Sequence, residues 1–268
     1  HLMNILEKII REKLPEIKNN KSAVPEAKLE LSPFYSKKTI SLKNSLLKNE
    51  RSGIIAEFKR ASPSKGLLHP NANPVEIAKA YQANGASGIS VLTEKNFFKG
   101  SVHDFQQVRE VAENLPLLRK DFIIDEYQIA EAKAIGADVI LLIAACLSAG
   151  RVKELSKFAK ELQLEVLLEI HDEQELGHLC EYVDIAGVNN RNLKTFEVSI
   201  QNSIRLSSKI PDDFLKISES GISDIASINE LKKHGFKGFL IGELFMKDKH
   251  PDLAFASFVN EMKNSIHN

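Results

Sequence analysis

The sequence predicts an α/β protein, a (β/α)8 barrel of the TIM type with an N-terminal helical extension. Three observations predict it. Eight short apolar runs are spread over 268 residues, and stretches of helical periodicity separate them, the alternation a parallel barrel requires. A junction recurs in which a helical segment ends near a glycine and an apolar strand follows; glycine past a helix end takes the left-handed cap conformation. The first run, Ile54–Ala56, is apolar at every position, as in a strand covered on both faces.

Taken in order, residues 3–50 precede the first strand and read as helices packing on the barrel, beginning with an amphipathic stripe of Ile5, Ile9, Ile10 and Leu14. Ile54–Ala56 is the first strand. The helix-to-glycine-to-strand junction then appears at 84–92, 135–142 and 234–242, and further strands are Leu115–Leu118, Leu164–Ile170, Val183–Val188 and Phe214–Ile217. Helical periodicity fills Pro74–Asn84, Glu126–Ile135, Ser148–Leu162 and Ser223–His234. A doubly wound open sheet is the alternative, but its dinucleotide-binding form needs a glycine-rich turn after the first strand, and none is present. No stretch rich in Pro, Gly or Ser splits the chain, so 1–268 reads as one domain. His1-Leu2 ahead of Met3 reads as a cloning remnant.

Apolar residues make up 43% of the chain and charged residues 27%, with zero formal net charge. That is core-forming composition with no global field for nucleic acid or a membrane surface. Cys146 and Cys180 are too few for a disulfide framework or zinc site, and Cys146 reads as packing. No apolar run approaches a membrane span, and the N-terminus lacks a signal-peptide core. The expectation is a cytoplasmic monomer acting on a small molecule.

Barrels hang their chemistry from the C-terminal strand ends. Strand one delivers Glu57 and Lys59 to the same face, two residues apart; this is either a polar site or a strand-end ion pair. Strand three ends Leu118-Arg-Lys120-Asp-Phe122, strand five Leu168-Glu169-Ile-His171, strand six Gly187-Val-Asn189-Asn190-Arg191, strand seven Ser218-Glu219-Ser220-Gly221 and strand eight Ile241-Gly242-Glu243. Two lysines, several glutamates and an arginine thus converge on one mouth. Ser220-Gly221 and Gly242 read as backbone N–H loops ahead of helices, suited to phosphate with Lys59 and Arg191 as countercharge, or as tight turns. His171, Asp172, Glu173 and Glu175 lack metal spacing, and acids there read as dipole partners of a first helical turn. Lys13, Lys18, Lys37 and Lys38 read as solvated surface charge.

Glu57-Phe-Lys59-Arg-Ala-Ser62-Pro-Ser-Lys65-Gly66 resembles the first-strand signature of the indole-3-glycerol-phosphate synthases. Ser90-Val-Leu-Thr, Phe98-Lys-Gly-Ser101, Leu118-Arg-Lys120-Asp-Phe122, Leu168-Glu169, Gly187-Val-Asn189-Asn-Arg191, Glu219-Ser-Gly221-Ile and Leu240-Ile-Gly242-Glu243 follow in order over nearly the whole chain. The resemblance implies a carbon–carbon lyase of tryptophan biosynthesis. It closes 1-(2-carboxyphenylamino)-1-deoxyribulose 5-phosphate, with loss of CO2 and water, to indole-3-glycerol phosphate. It implies Lys120 as general acid at the ketone, Glu169 as the partner that takes or relays a proton, and Lys59 at the substrate carboxylate, with a share in dehydration. It implies that Glu57 tunes both lysines and is itself a catalytic participant. Asn189, Arg191, Ser62 and Ser220 contact substrate, Phe98 and Phe122 line the anthranilate pocket, and Gly221, Gly242 and Glu243 hold phosphate, the last two through backbone N–H. No cofactor or metal is implied. Lys99, Asn190 and Glu243 depart from common family residues without removing a proposed catalytic group.

Rival readings are another phosphate-binding barrel, such as a phosphoribosyl isomerase or the α chain of tryptophan synthase, a Schiff-base aldolase using Lys120, and a non-catalytic scaffold. An isomerase needs a different acid–base layout, borohydride trapping marks an aldolase, and a scaffold has no use for polar strand ends.

Overall fold

Strands form where the chain is continuously apolar and rich in β-branched residues. In the computed structural model, which describes residues 4–266, the barrel strands are β1 (Ile54–Phe58), β2 (Gly88–Leu92), β3 (Leu117–Lys120), β4 (Val139–Ile143), β5 (Glu165–Ile170), β6 (Ile185–Asn189), β7 (Leu215–Glu219) and β8 (Gly238–Ile241). All pair in parallel with their sequence neighbours, and β1 also pairs with β8, Ile54 opposite Phe239, so the sheet is a closed barrel without edges. The (β/α)8 expectation holds. The third strand starts two residues later than expected, because Leu115 and Pro116 belong to the loop. His1, Leu2 and Met3, with the expected remnant, lie outside the described residues.

Outside the barrel lie α4 (Pro74–Ala83), α5 (Val102–Val111), α6 (Glu126–Ala134), α7 (Ala149–Glu161), α8 (Gln201–Ser207), α9 (Ile225–Lys233), α10 (Glu243–Met246) and α11 (Pro251–Ser265). Side-chain caps fix where several begin: Asn73, Ser101, Asp125, Ser148 and Asp224 each accept a first-turn N–H. After β5 a 3-10 segment, Glu173–His178, stands where the alternation called for an α-helix.

Side chains alternate along each strand. Ile54, Ala56 and Phe58 of β1 face the helices, while Ile55 joins Leu118, Leu141, Leu167, Ile185, Ile217 and Leu240 inside the barrel. The extension contributes α1 (Ile5–Ala23), α2 (Glu26–Leu29) and α3 (Leu42–Leu46). From α3, Leu42 and Leu46 enter the inner cluster from below. Glu165 anchors α3, accepting from Ser41 Oγ at 2.7 Å and from the Leu42 N–H at 2.6 Å.

Helix α1 buries Ile9, Lys13 and Ile17, whereas Leu14 is 59% exposed, so the buried stripe differs from the one apolar periodicity picks out. Lys13 is not a surface charge. It is buried, with its ammonium 2.9 Å from Asp121 and 2.5 Å from Glu16. Desolvation opposes its charge, but the two carboxylates outweigh it and raise its pKa.

Candidate active site

The inward positions of the strands are aliphatic in the middle of the barrel and polar at the C-terminal end. Glu57 stands above Ile55, Lys120 above Leu118, Glu169 above Leu167, and Glu219 above Ile217. One two-residue step on each strand therefore carries a polar group from core to mouth. On β3 the same alternation sends Arg119 and Asp121 outward, where Arg119 pairs with Glu131 at 2.6 Å and Asp121 accepts from Thr93 Oγ1 at 2.6 Å. Lys120 is thus held on a strand end fixed from behind, with Asp121 also bound to Lys13 of α1.

Glu57 is the hub of the mouth. Its Oε2 accepts from Lys120 Nζ at 2.9 Å and from Ser90 Oγ at 2.8 Å, and its Oε1 lies 3.7 Å from Lys59 Nζ. Burial disfavours its charge, yet Lys120 and Lys59 outweigh that and hold the carboxyl below the usual range. The lysines diverge. Burial dominates at Lys59 and lowers its pKa against the pull of Glu57. At Lys120 burial is overcome by Glu57, Glu219 and Glu169, and the pKa is raised. Lys120 is therefore an ammonium at neutral pH, placed to donate a proton to an oxygen that gains negative charge.

Glu219 carries a second anomaly. Among the described residues, neither of its buried oxygens has a hydrogen-bond donor. Burial, then the charge on Glu169, push its pKa well up. A proton on Glu219 resolves the conflict, since the neutral acid can donate to Glu169 while two adjacent carboxylates can only repel. No role was assigned to Glu219 from sequence; its place beside Gly221 in the strand-seven motif was the available signal.

All thirteen residues expected to bind or react lie around one cavity at this mouth. Phe98 and Phe122 form one apolar wall, ring centroids 6.1 Å apart. Sequence reasoning missed two further walls: Ile5, Leu6 and Ile9 of α1 from above, and Leu193 and Phe196 from the loop after β6. Opposite the aromatic wall lie Arg191, Ser220, Gly221, Gly242 and Glu243. Ser220 and Gly221 are consecutive left-handed residues, φ 71° and 73°. Asn190 supports the turn by donating to the Ser220 carbonyl at 2.9 Å. A Cβ on Gly221 would lie 2.1 Å from Val198 Cγ1, and one on Gly242 would lie 2.9 Å from Glu57 Cβ, so both positions exclude larger residues.

Two expectations about this end need correcting. Gly221 does not abut a helix, because α9 starts at Ile225 and Asp224 caps it. Gly242 does cap α10. The Glu243 side chain lies 3.6 Å from Arg191 and 3.9 Å from Lys65. The acids after His171 likewise do not open an α-helix; Glu175 folds back onto His171 instead.

The family profile described as Indole-3-glycerol phosphate synthase matches residues 6–258. An indole-3-glycerol phosphate synthase of Bacteroides thetaiotaomicron is 45% identical over 262 residues, 98% of this chain and 100% of that protein. One from Salinibacter ruber is 40% identical, over 97% of each chain. Among solved structures, 3-hexulose-6-phosphate synthase from Salmonella typhimurium superposes with TM-score 0.63 at 14% identity, covering 80% of this chain and 98% of that one. Tryptophan synthase subunit alpha from Legionella pneumophila does so with 0.60 at 13%, covering 85% and 98%. Those likenesses establish the barrel alone. With the profile match and near-full-length relatives, the chain belongs to the indole-3-glycerol phosphate synthase family, decarboxylating cyclases of tryptophan biosynthesis.

Proposed function

We propose that the polar ring divides the family's reaction as follows. The substrate is 1-(2-carboxyphenylamino)-1-deoxyribulose 5-phosphate. Its aromatic ring lies between Phe98 and Phe122, with the carboxylate against Lys59. The phosphate sits at the Ser220–Gly221 turn and the Gly242–Glu243 helix start, with Arg191, Asn189 and Ser62 orienting the sugar. Folding the chain so that the ring carbon faces the ketone is itself a large part of catalysis.

As the carbon–carbon bond forms, the ketone oxygen takes the electron pair and Lys120 gives it a proton. The imine created by cyclisation accepts the electrons released as CO2 leaves. Departure of the hydroxyl as water then needs a proton donor at the oxygen and an acceptor for the proton the ring system loses. Glu169 takes that proton, with protonated Glu219 beside it, and Lys59 shares in the dehydration. Glu57 holds both ammonium groups in place.

The observation that carries this reading is Glu57 clasped between Lys120 and Lys59 across the mouth from Glu169. We also propose that residues 1–268 act as one domain and as a monomer in the cytoplasm. The test follows indole fluorescence in Lys59→Met and Glu169→Gln. Lys59→Met should mainly raise KM, and Glu169→Gln should mainly lower kcat. Equal changes in both parameters for both variants would reject the division of labour.

A further inference from the structure

One buried titratable side chain at this end has no part in the mechanism above. His171 follows β5 two residues after Glu169 and is nearly closed off from solvent. Its Nδ1 lies 3.2 Å from Glu175 Oε1, and the same oxygen accepts the His171 backbone N–H at 2.6 Å. Its Nε2 is buried with no hydrogen-bond partner among the described residues and sits 3.5 Å from Glu169 Oε2. Asn202 of α8 ties the residue down by donating to its carbonyl at 2.8 Å.

A neutral imidazole does not fit between these acids. With the proton on Nδ1, the Nε2 lone pair faces a carboxylate oxygen; with it on Nε2, the Nδ1 lone pair faces Glu175. Each arrangement opposes lone pairs where water cannot intervene. The imidazolium presents N–H to both. The charged groups around it all favour that form: Glu169 from β5, Asp172 from the cap of the 3-10 segment and Glu175 from within it. Burial lowers the imidazole pKa, but these three acids outweigh it and raise it. Cys146, in the turn after β4, brings no charge, because burial and then Glu169 and Glu175 push its thiol pKa up. On its other side Glu169 meets Glu219, which as a neutral acid can donate to it.

We propose that His171 is a positioning residue whose imidazolium, bridged between Glu175 and Glu169, keeps Glu169 ionised and aimed into the mouth. This rests on the reading of Glu169 as proton acceptor. Glu169 thus has a neutral donor on one side and the His171 ring 3.5 Å away on the other. Lys120 and Lys59 are committed to Glu57, and His171 supplies the charge from behind the strand end.

The test is the pH dependence of kcat/KM in His171→Gln, Glu175→Gln and Glu169→Gln. Glutamine at 171 keeps an N–H donor near the Nε2 position without the charge. The acid limb should move to higher pH by about one unit or more, the usual effect of removing an adjacent opposite charge, while the plateau above it stays near the parent value. Glu175→Gln retains the oxygen that accepts the His171 N–H and removes only charge. It should move the limb the same way by less, and should add little to His171→Gln. If His171→Gln does not fold, the Glu175→Gln limb decides. A uniform loss at every pH with the limb unmoved, or an unmoved limb in Glu175→Gln, overturns the proposal. Full activity in Glu169→Gln would instead sink the assignment of Glu169, a separate failure.

Discussion

Replacing Lys120 with methionine keeps the side-chain volume and deletes the charge, which separates two effects the structure predicts together. Loss of a positioned general acid typically lowers kcat by about 10²–10⁴, corresponding to about 3–5 kcal/mol in activation free energy, with a smaller change in KM. The same change leaves Glu57, 2% exposed, with Ser90 and a lysine 3.7 Å away. Removing one partner of a buried pair costs about 3–5 kcal/mol, so at pH 8 Tm should fall by about 6–15 °C.

The pH dependence carries the sign. In the parent the Glu57 pKa is depressed, so its contribution is present above the unfolded value near 4.5 and is lost as pH falls through the folded one. Without Lys120, burial dominates and the Glu57 pKa rises above 4.5. Protonation then relieves the stranded charge, and the Tm deficit should shrink between pH 8 and pH 5. Paired measurements of kcat by indole fluorescence and Tm by calorimetry across that range check both parts. A kcat within about tenfold of the parent would remove Lys120 as the acid, since general acids are worth more than that. A Tm deficit that does not change with pH would refute the argument from Glu57.

Other outcomes follow from the same geometry. Glu219 has a raised pKa, so its contribution to stability is lost as pH rises through that value; Glu219→Gln should therefore raise Tm more at pH 8 than at pH 5, with kcat reduced. Gly221→Ala meets Val198 and a φ of 73°, and should raise KM for the phosphorylated substrate while leaving most of kcat, as steady-state kinetics will report. At the opposite end of the barrel, Asp138→Ala removes the carboxylate 2.7 Å from buried Arg109. It should lower Tm by about 6–15 °C while kcat at 25 °C stays unchanged.

The barrel was legible because its signals are local: an apolar run, a glycine after a helix, a polar residue where a strand stops. The polar ring was legible for the same reason, since the two-residue alternation that puts Leu118 in the core necessarily puts Lys120 at the mouth. What stayed hidden depends on groups distant in sequence. Lys13 looks like any lysine on a polar helix face until Asp121 is brought beside it. Glu219 stands in a matched motif, but its lack of a donor emerges only when β5 and β7 have placed two acids together. The 3-10 segment after β5 escaped because Asp172 caps it as it would an α-helix, accepting from the Glu175 N–H at 3.1 Å.

The wall contributed by α1 also bears on how the molecule is made. A ribosome releases Ile5, Leu6 and Ile9 before any strand, yet Asp121, which holds that helix by Lys13, emerges only with the third. The acids and lysines of the mouth come from β1, β3, β5 and β7, and the ring that spaces them is not closed until β8 reaches β1. The strand that opens the ring waits for the one that closes it. No fragment that stops short of β8 holds the ring closed, so catalytic activity during synthesis marks the moment β8 reaches β1.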